Sequence, residues 1–169
     1  PQSRERIIFI GVREDLDVFP SYPVGQTHPY TAGESLKGVF IDSEELAMLL
    51  EAGRKYKAYQ DWPFLKPGMR RAQLGYKTGF SCAKWNPNRP VWTIVKNDSN
   101  VSTHGAMHWY EQRRFTTAEY KRFSSFPDDF QFAGTWSDAV ARIGNSVPPL
   151  LMQAIATHIR ERILQAVGK

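Results

Sequence analysis

The chain predicts an α+β fold, and three observations carry that prediction. A β-branched apolar run at residues 7–12, bounded by charges on both sides, has the length of a buried strand. Further short runs at 71–76, 80–85 and 91–95 are separated by Lys-Thr-Gly and Asn-Pro-Asn-Arg-Pro turns, the pattern of antiparallel strands. Polar cap signatures and a Pro-Pro pair open three helices.

Taken in order, residues 7–12 read as a strand that needs a covering layer, and 17–41, rich in Pro, Gly, Tyr and Ser, read as loop. Asp42 followed by Glu45 is a capping box, and Leu46, Leu49 and Leu50 form the apolar stripe of a helix over 43–52, stopping before Gly53. The three strands follow, then a polar exposed loop over 96–106. Thr116 with Glu119 opens a helix that ends near Ser125, ahead of Phe126-Pro127. Gly144 and Asn145 read as a turn. Pro148 and Pro149 stand at the start of a last helix, whose face is Leu151, Ile155, Ile159 and Ile163 and which runs to about Val167.

Composition narrows the function. The 169 residues are 41% hydrophobic and 23% charged, which excludes wholesale disorder. No apolar run is long enough to span a membrane, and no secretory signal stands at the start. One cysteine and four histidines cannot build a disulfide framework or a cysteine zinc site within the chain, so a reducing, cytoplasmic setting is expected and no metal site is assigned. The first residue is Pro1, with a dense motif directly after it, and the sequence reads as a piece of a longer chain.

The net charge of +5 is unevenly placed. Residues 54–96 hold ten Lys or Arg against the single acid Asp61, interleaved with eight aromatics. That combination suits a surface that neutralises phosphate and packs against sugar or base, with a solvated basic face over an ordinary aromatic core as its bland alternative.

Three motifs then carry a resemblance. The first is Pro1-Gln2-Ser3-Arg4-Glu5-Arg6 leading into the apolar run and Gly11-Val12-Arg13. The second is Arg114-Phe115-Thr116 with Glu119, Arg122 and Phe126-Pro127-Asp128-Asp129-Phe130. The third is Ile143-Gly144-Asn145-Ser146-Val147-Pro148-Pro149. In this order and spacing they resemble the eighth, ninth and tenth motifs of the cytosine-5 DNA methyltransferases, enclosing a basic variable segment where that family places its target-recognition domain. Thr93-Ile94 is similar to a Thr-aliphatic pair near the family's recognition loop.

The resemblance implies the C-terminal part of such an enzyme. Residues 1–16 would be a strand of the α/β, Rossmann-like methyltransferase domain. Residues 17–112 would be a small target-recognition domain of twisted antiparallel strands and loops, and 113–169 would be helices closing back onto the catalytic domain. It implies transfer of methyl from S-adenosylmethionine to carbon 5 of a flipped cytosine in a short DNA site, within restriction-modification. The family attacks carbon 6 with a cysteine thiolate from a Pro-Cys pair and grips the base with a glutamate in Glu-Asn-Val. Neither is present here, nor is the Gly-rich cofactor turn. Cys82 follows Ser81 and reads as a small packed hydrophobe.

By the same resemblance, Arg6 contacts the cytosine 2-carbonyl, with Gln2 and Arg4 as neighbours on one face of a strand. Asn145, Ser146 and Val147 approach the methionine end of the cofactor, bound mainly by an N-terminal half or subunit. The candidates for double-stranded DNA contact are Arg70, Arg71, Gln73, Lys77, Lys84, Thr93, Lys96 and, in the loop over 97–105, His104. Trp62, Trp85 and Trp92 read as core before stacking platforms. The chain alone is expected to be inactive, and its exposed apolar faces to favour self-association. Nucleoid association is expected if the host is bacterial. The rival reading is a non-catalytic DNA-binding module derived from that half.

Overall fold

A computed structural model describes residues 2–25, 30–75, 82–100 and 105–167. The chain forms two compact units: Pro1–Arg4 with Tyr30–Ser146, and Glu5–Pro29 with Val147–Lys169.

Among its described residues the first unit holds four two-residue strands: β1 (Gln2–Ser3), β2 (Ala83–Lys84), β3 (Val91–Trp92) and β4 (Ala106–Met107). Among the described residues, the antiparallel arrangement expected for 71–76, 80–85 and 91–95 is not found, and residues 76–81 of those runs lie outside them. β1 pairs with β3 and β2 with β4, both in parallel, and an isolated Arg70–Ala83 bridge is the antiparallel contact outside these strands. Residues Arg71–Leu74 make a 3-10 turn instead of a strand. The run contains Ala72 and Gln73 and closes on Gly75 at φ 94°, so it turns where a strand must stay extended.

Among the described residues six α-helices form: α1 (Ala32–Ser35), α2 (Ser43–Lys55), α3 (Lys57–Gln60), α4 (Thr117–Phe123), α5 (Trp136–Asn145) and α6 (Pro149–His158). The Asp42 carboxylate accepts from the Glu45 amide, as predicted at the start of α2. Glu45 does not return the bond but reaches the Thr117 amide at 2.9 Å and its hydroxyl at 2.6 Å, tying α2 to the first turn of α4. α2 runs through Gly53, because that glycine lies against the 112–113 backbone. A Cβ there would sit 1.9 Å from the Gln112 carbonyl oxygen.

The predicted box at Thr116 and Glu119 forms in both directions. Glu119 is buried, and its carboxylate also receives a paired bond from the buried Arg113 at 2.7 and 2.9 Å. Around α4 the core stacks Trp85 against Phe115 and Phe123, with ring centres 5.1 and 5.7 Å apart. A second cluster joins Ala58, Tyr59, Leu65, Cys82 and Met107.

Gly144 and Asn145 are the last turn of α5, not a loop. The helix opens on a further capping box at Thr135 and Asp138. Gly144 is there for closeness, since a Cβ would stand 2.4 Å from the Val95 carbonyl carbon. The 96–106 segment, expected to be exposed, buries Asp98, Gly105 and Ala106 among its described residues.

In the second unit α6 begins at Pro149, as the Pro-Pro pair predicts, and continues as π-helix over Ile159–Ile163. Ile155 and Ile163 are buried on it, whereas Leu151 is exposed. Residues 7–12 correct the sequence reading, forming no regular element, with Ile7 84% and Phe9 89% exposed. A buried strand needs neighbours on both edges, and no described strand pairs with this one. No helix among the described residues is long and apolar enough to cross a membrane.

Candidate functional site

Three stretches distant in sequence meet in the first unit. Arg4 donates from Nη1 to the Ile94 and Gly144 carbonyls, 2.9 Å each, so one guanidinium joins β1, the 93–95 stretch and the end of α5. A cation is favourable there, because the last carbonyls of a helix carry partial negative charge. Gln2 adds to the same stitching. Its Nε2 donates to the Ser124 hydroxyl at 3.2 Å, and its Oε1 accepts from the Ile94 amide at 3.3 Å. Thr93 closes it, its hydroxyl donating to the Ser3 carbonyl at 2.8 Å.

Gln2 and Arg4 therefore spend their donors on the protein. The single strand face expected for Gln2, Arg4 and Arg6 is not present, since β1 ends at Ser3 and Arg6 falls in the other unit. Arg6 is exposed and donates to the Glu5 carbonyl at 2.6 Å.

The cofactor candidates divide likewise. Asn145 is exposed at the end of α5, while the Ser146 hydroxyl donates to the Ile143 carbonyl at 2.7 Å. Val147 is 52% exposed. The first turn of α6 has no side-chain cap, which leaves a helix start suited to a carboxylate.

Among the basic candidates, Arg70 is exposed and lies 4.3 Å from the centre of the Trp92 ring, with its backbone N–H donating to Gln73 Oε1. Gln73 and Lys96 are exposed as well. Arg71 is half-buried and ion-paired with Asp61. Lys84 departs most from expectation. It is 6% exposed, with its ammonium 3.4 Å above the Trp62 ring, and burial lowers its pKa. A short strand paired with β4 turns it inward, so it does not present its charge to a phosphate. Lys77 and His104 lie outside the described residues. Trp85 is core, and Trp62 and Trp92 are half-buried beneath the cations just named.

Burial pushes the Cys82 thiol up to about 11, so this cysteine stays protonated and packed near neutral pH. Its environment is that of a core residue, packed in a cluster with Ala58, Tyr59, Leu65 and Met107.

Two features escaped the sequence reading. Asp98 is buried on the 95–98 turn with Oδ2 lacking a hydrogen-bond partner, and burial raises it to about 8. A cleft of about 560 Å³ is lined by Tyr56, Lys57, Ala58, Arg71, Ser99, Asn100 and Arg114. Its cations run from Lys57 to Arg114, and no local pattern would have grouped them. Among the described residues no cluster of three or more His, Cys, Asp or Glu could hold a metal ion.

The family model for C-5 cytosine-specific DNA methylases matches residues 1–161. Type II methyltransferase M.PspPI of Psychrobacter sp. is 32% identical over 189 residues, covering 100% of this chain and 44% of that protein. M.BbvI of Brevibacillus brevis is 32% identical over 164 residues, covering 88% and 42%. The chain thus spans less than half the length of these two curated relatives. M.AquIB of Picosynechococcus sp. is 26% identical over 116 residues, a match that covers 62% of this chain and 81% of that protein.

Proposed function

Since the chain belongs to the C-5 cytosine-specific DNA methylase family, we propose that it is the target-recognition and C-terminal portion of such an enzyme. Its recognition segment sits within residues 17–112, and a partner segment brings the nucleophile. The carrying observation is the convergence on Arg4. The first motif, the Thr93-Ile94 pair and the Ile143–Gly144 end of the third motif are fastened together by one side chain and two carbonyls. That fastening gives a basic recognition segment a fixed position relative to the residues that flank the chemistry, which is what orientation-dependent catalysis needs.

In this reading Arg6 is the catalytic residue of the chain. When a thiolate adds to carbon 6 of the flipped cytosine, charge builds on the ring and its 2-carbonyl oxygen. A guanidinium donor stabilises that oxygen more in the transition state than in the ground state. S-adenosylmethionine, held mainly by the partner segment, would supply the methyl to carbon 5 and leave as S-adenosylhomocysteine, and loss of the carbon-5 proton to a base of that segment would expel the thiolate from carbon 6. Gln2 and Arg4 are positioning residues. Asn145, by its exposure, would hydrogen-bond the cofactor's polar end, and Val147 would offer it an apolar contact. Arg70, Gln73 and Lys96 would face the duplex.

The sequence holds no Pro-Cys or Glu-Asn-Val, so the chain alone would transfer no methyl. The separate-chain form of this reading draws support from M.AquIB, a relative short enough that the match covers 81% of it. Tritiated methyl transfer tests the proposal. The chain with duplex DNA and S-adenosylmethionine should be silent, and mixing with a family fragment carrying the absent motifs should restore activity. In that mixture Arg6→Ala should lower turnover on the order of 100-fold, the usual effect of losing one donor to a developing oxyanion. Asn145→Ala should raise the S-adenosylmethionine requirement more than it slows turnover. A covalent adduct with 5-fluorocytosine duplex mapped to Cys82 would overturn these roles. Duplex binding with no complementation would favour the non-catalytic module.

A further inference from the structure

We propose that the cleft between Lys57, Arg71, Ser99–Asn100 and Arg114 is a phosphate pocket, in which the chain seats one backbone phosphate of its DNA. This rests on the DNA reading above and deepens it by naming a place of contact.

The observation that points to an anion is Arg114. Its residue is 8% exposed, its Nε has no hydrogen-bond partner, and among the described residues no carboxylate lies within ion-pair distance. The adjacent Arg113, also buried, is satisfied by both Glu119 and Glu111. A buried guanidinium without a counter-charge is costly, because desolvation is not repaid by an opposite charge. The Tyr56 and Trp136 rings, with centres 5.1 and 5.0 Å from its central carbon, attract it through cation–π contact but carry no negative charge. Tyr59 hydrogen-bonds the guanidinium but, held neutral by burial, does not balance its charge.

The cleft in front of it supplies the rest of an oxyanion site. About 560 Å³ admits a phosphate with its sugar, and Lys57 and Arg71 stand on its lining beside the neutral donors Ser99 and Asn100. Lys57 is exposed. Arg71 shares its charge with Asp61, which leaves Arg114 and Lys57 as the uncompensated cations of the lining. Donors arriving from separate stretches of chain suit a tetrahedral oxyanion better than a planar carboxylate, and the guanidinium fork can bond two of its oxygens at once.

A phosphate ester of a duplex and a free phosphate share this chemistry, so the test has two arms. The Arg114 Nε–H resonance is followed by NMR as inorganic phosphate, and separately a short duplex, is added. Duplex affinity is measured against salt for the chain, Arg114→Gln and the surface variant Lys57→Ala, with thermal melts to check folding. We expect the resonance to move with both additions. The slope of log affinity on log salt should shrink by about 0.9, the value for one phosphate, in Arg114→Gln, with part of that loss in Lys57→Ala. Movement with inorganic phosphate but not duplex would keep the pocket and remove DNA as its occupant. A resonance unmoved by either, with unchanged slopes in folded variants, would overturn the pocket while leaving duplex binding intact. Absence of any duplex binding would instead count against the DNA reading itself.

Discussion

Asp98 and His108 are two buried titratable groups that the fold keeps neutral by different means. Asp98 is pushed up to about 8 by burial, with the Val95 backbone pulling weakly the other way. His108 is pushed down to about 3, first by burial and then by the charges of Arg113 and Lys84. The hydrogen bonds agree for His108, whose Nδ1 accepts the Tyr110 and Glu111 amides at 3.2 and 3.1 Å and so carries no proton. Its contacts of 3.7 Å to Glu111 and Glu119 are too long to reverse that preference. The signs are opposite. Asp98 binds its proton more tightly folded than unfolded, so its contribution is complete below about 4 and fades as pH rises towards 8. His108 binds its proton more weakly folded, so its contribution is complete above about 6.5 and fades as pH falls towards 3. Between about 4 and 6.5 the two slopes oppose each other. Stability should therefore be flat in that window and fall on both sides of it, measured by urea midpoints across pH. Asp98→Asn should abolish the decline above pH 6.5 and leave the acid side in place. A decline unchanged in that variant would remove Asp98 as its source.

At the scale of elements, glycine positions decide how closely helices approach their neighbours. Gly53 lies inside α2, where alanine would ordinarily improve a helix by about 1 kcal/mol. Here a Cβ would meet the Gln112 carbonyl at 1.9 Å, a backbone atom with no rotamer to turn aside. Gly53→Ala should cost about 1–3 kcal/mol, as overpacking does. Gly25→Ala, with nothing within 4 Å of its Cβ, should stay within about 0.5 kcal/mol. Equal melting temperatures for the two variants would contradict the close approach. The same contrast explains what sequence reading could reach. The Thr116–Glu119 box and the Pro149 start are chemistry between residues a few positions apart, and both are where the pattern places them. Gly53 and Gly144 look like helix stops, because the Gln112 and Val95 backbones that require them are distant in sequence. The strands fail for a related reason. Two-residue pairings such as Ala83–Ala106 depend on tertiary contacts that a run of apolar letters does not encode. Of the site, Gln2 and Arg4 were legible as a pair through their motif, but their carbonyl and hydroxyl partners were not. Arg114 was visible only as a motif letter, since its isolation from acids is a property of the folded chain.

The whole molecule is uneven in what it covers. The first unit closes an aromatic core around Trp85, Phe115 and Phe123, whereas the second leaves large apolar side chains in solvent. Ile7, Phe9, Phe19 and Val24 are exposed along its N-terminal stretch, as are Leu150, Met152 and Leu164 on the α6 segment and its continuation. Side chains of this size each gain about 1.5–3 kcal/mol when withdrawn from water, so several together favour any apolar surface that can cover them. In the proposed role that surface belongs to the partner segment of the methyltransferase. Without it, a second copy of the chain is the nearest substitute. Sedimentation at rising protein concentration should show self-association, together with strong binding of a hydrophobic dye, and salt should not disperse it because the attraction is apolar. Phe9→Ser with Leu150→Gln should weaken both signals while leaving the duplex affinity of the basic segment unchanged, since neither residue lies in the unit that holds it. Adding the complementing fragment should dissolve the self-associated species and quench the dye as methyl transfer appears. Dissociation by salt, with the double variant still associating, would assign the contact to the charged surface instead.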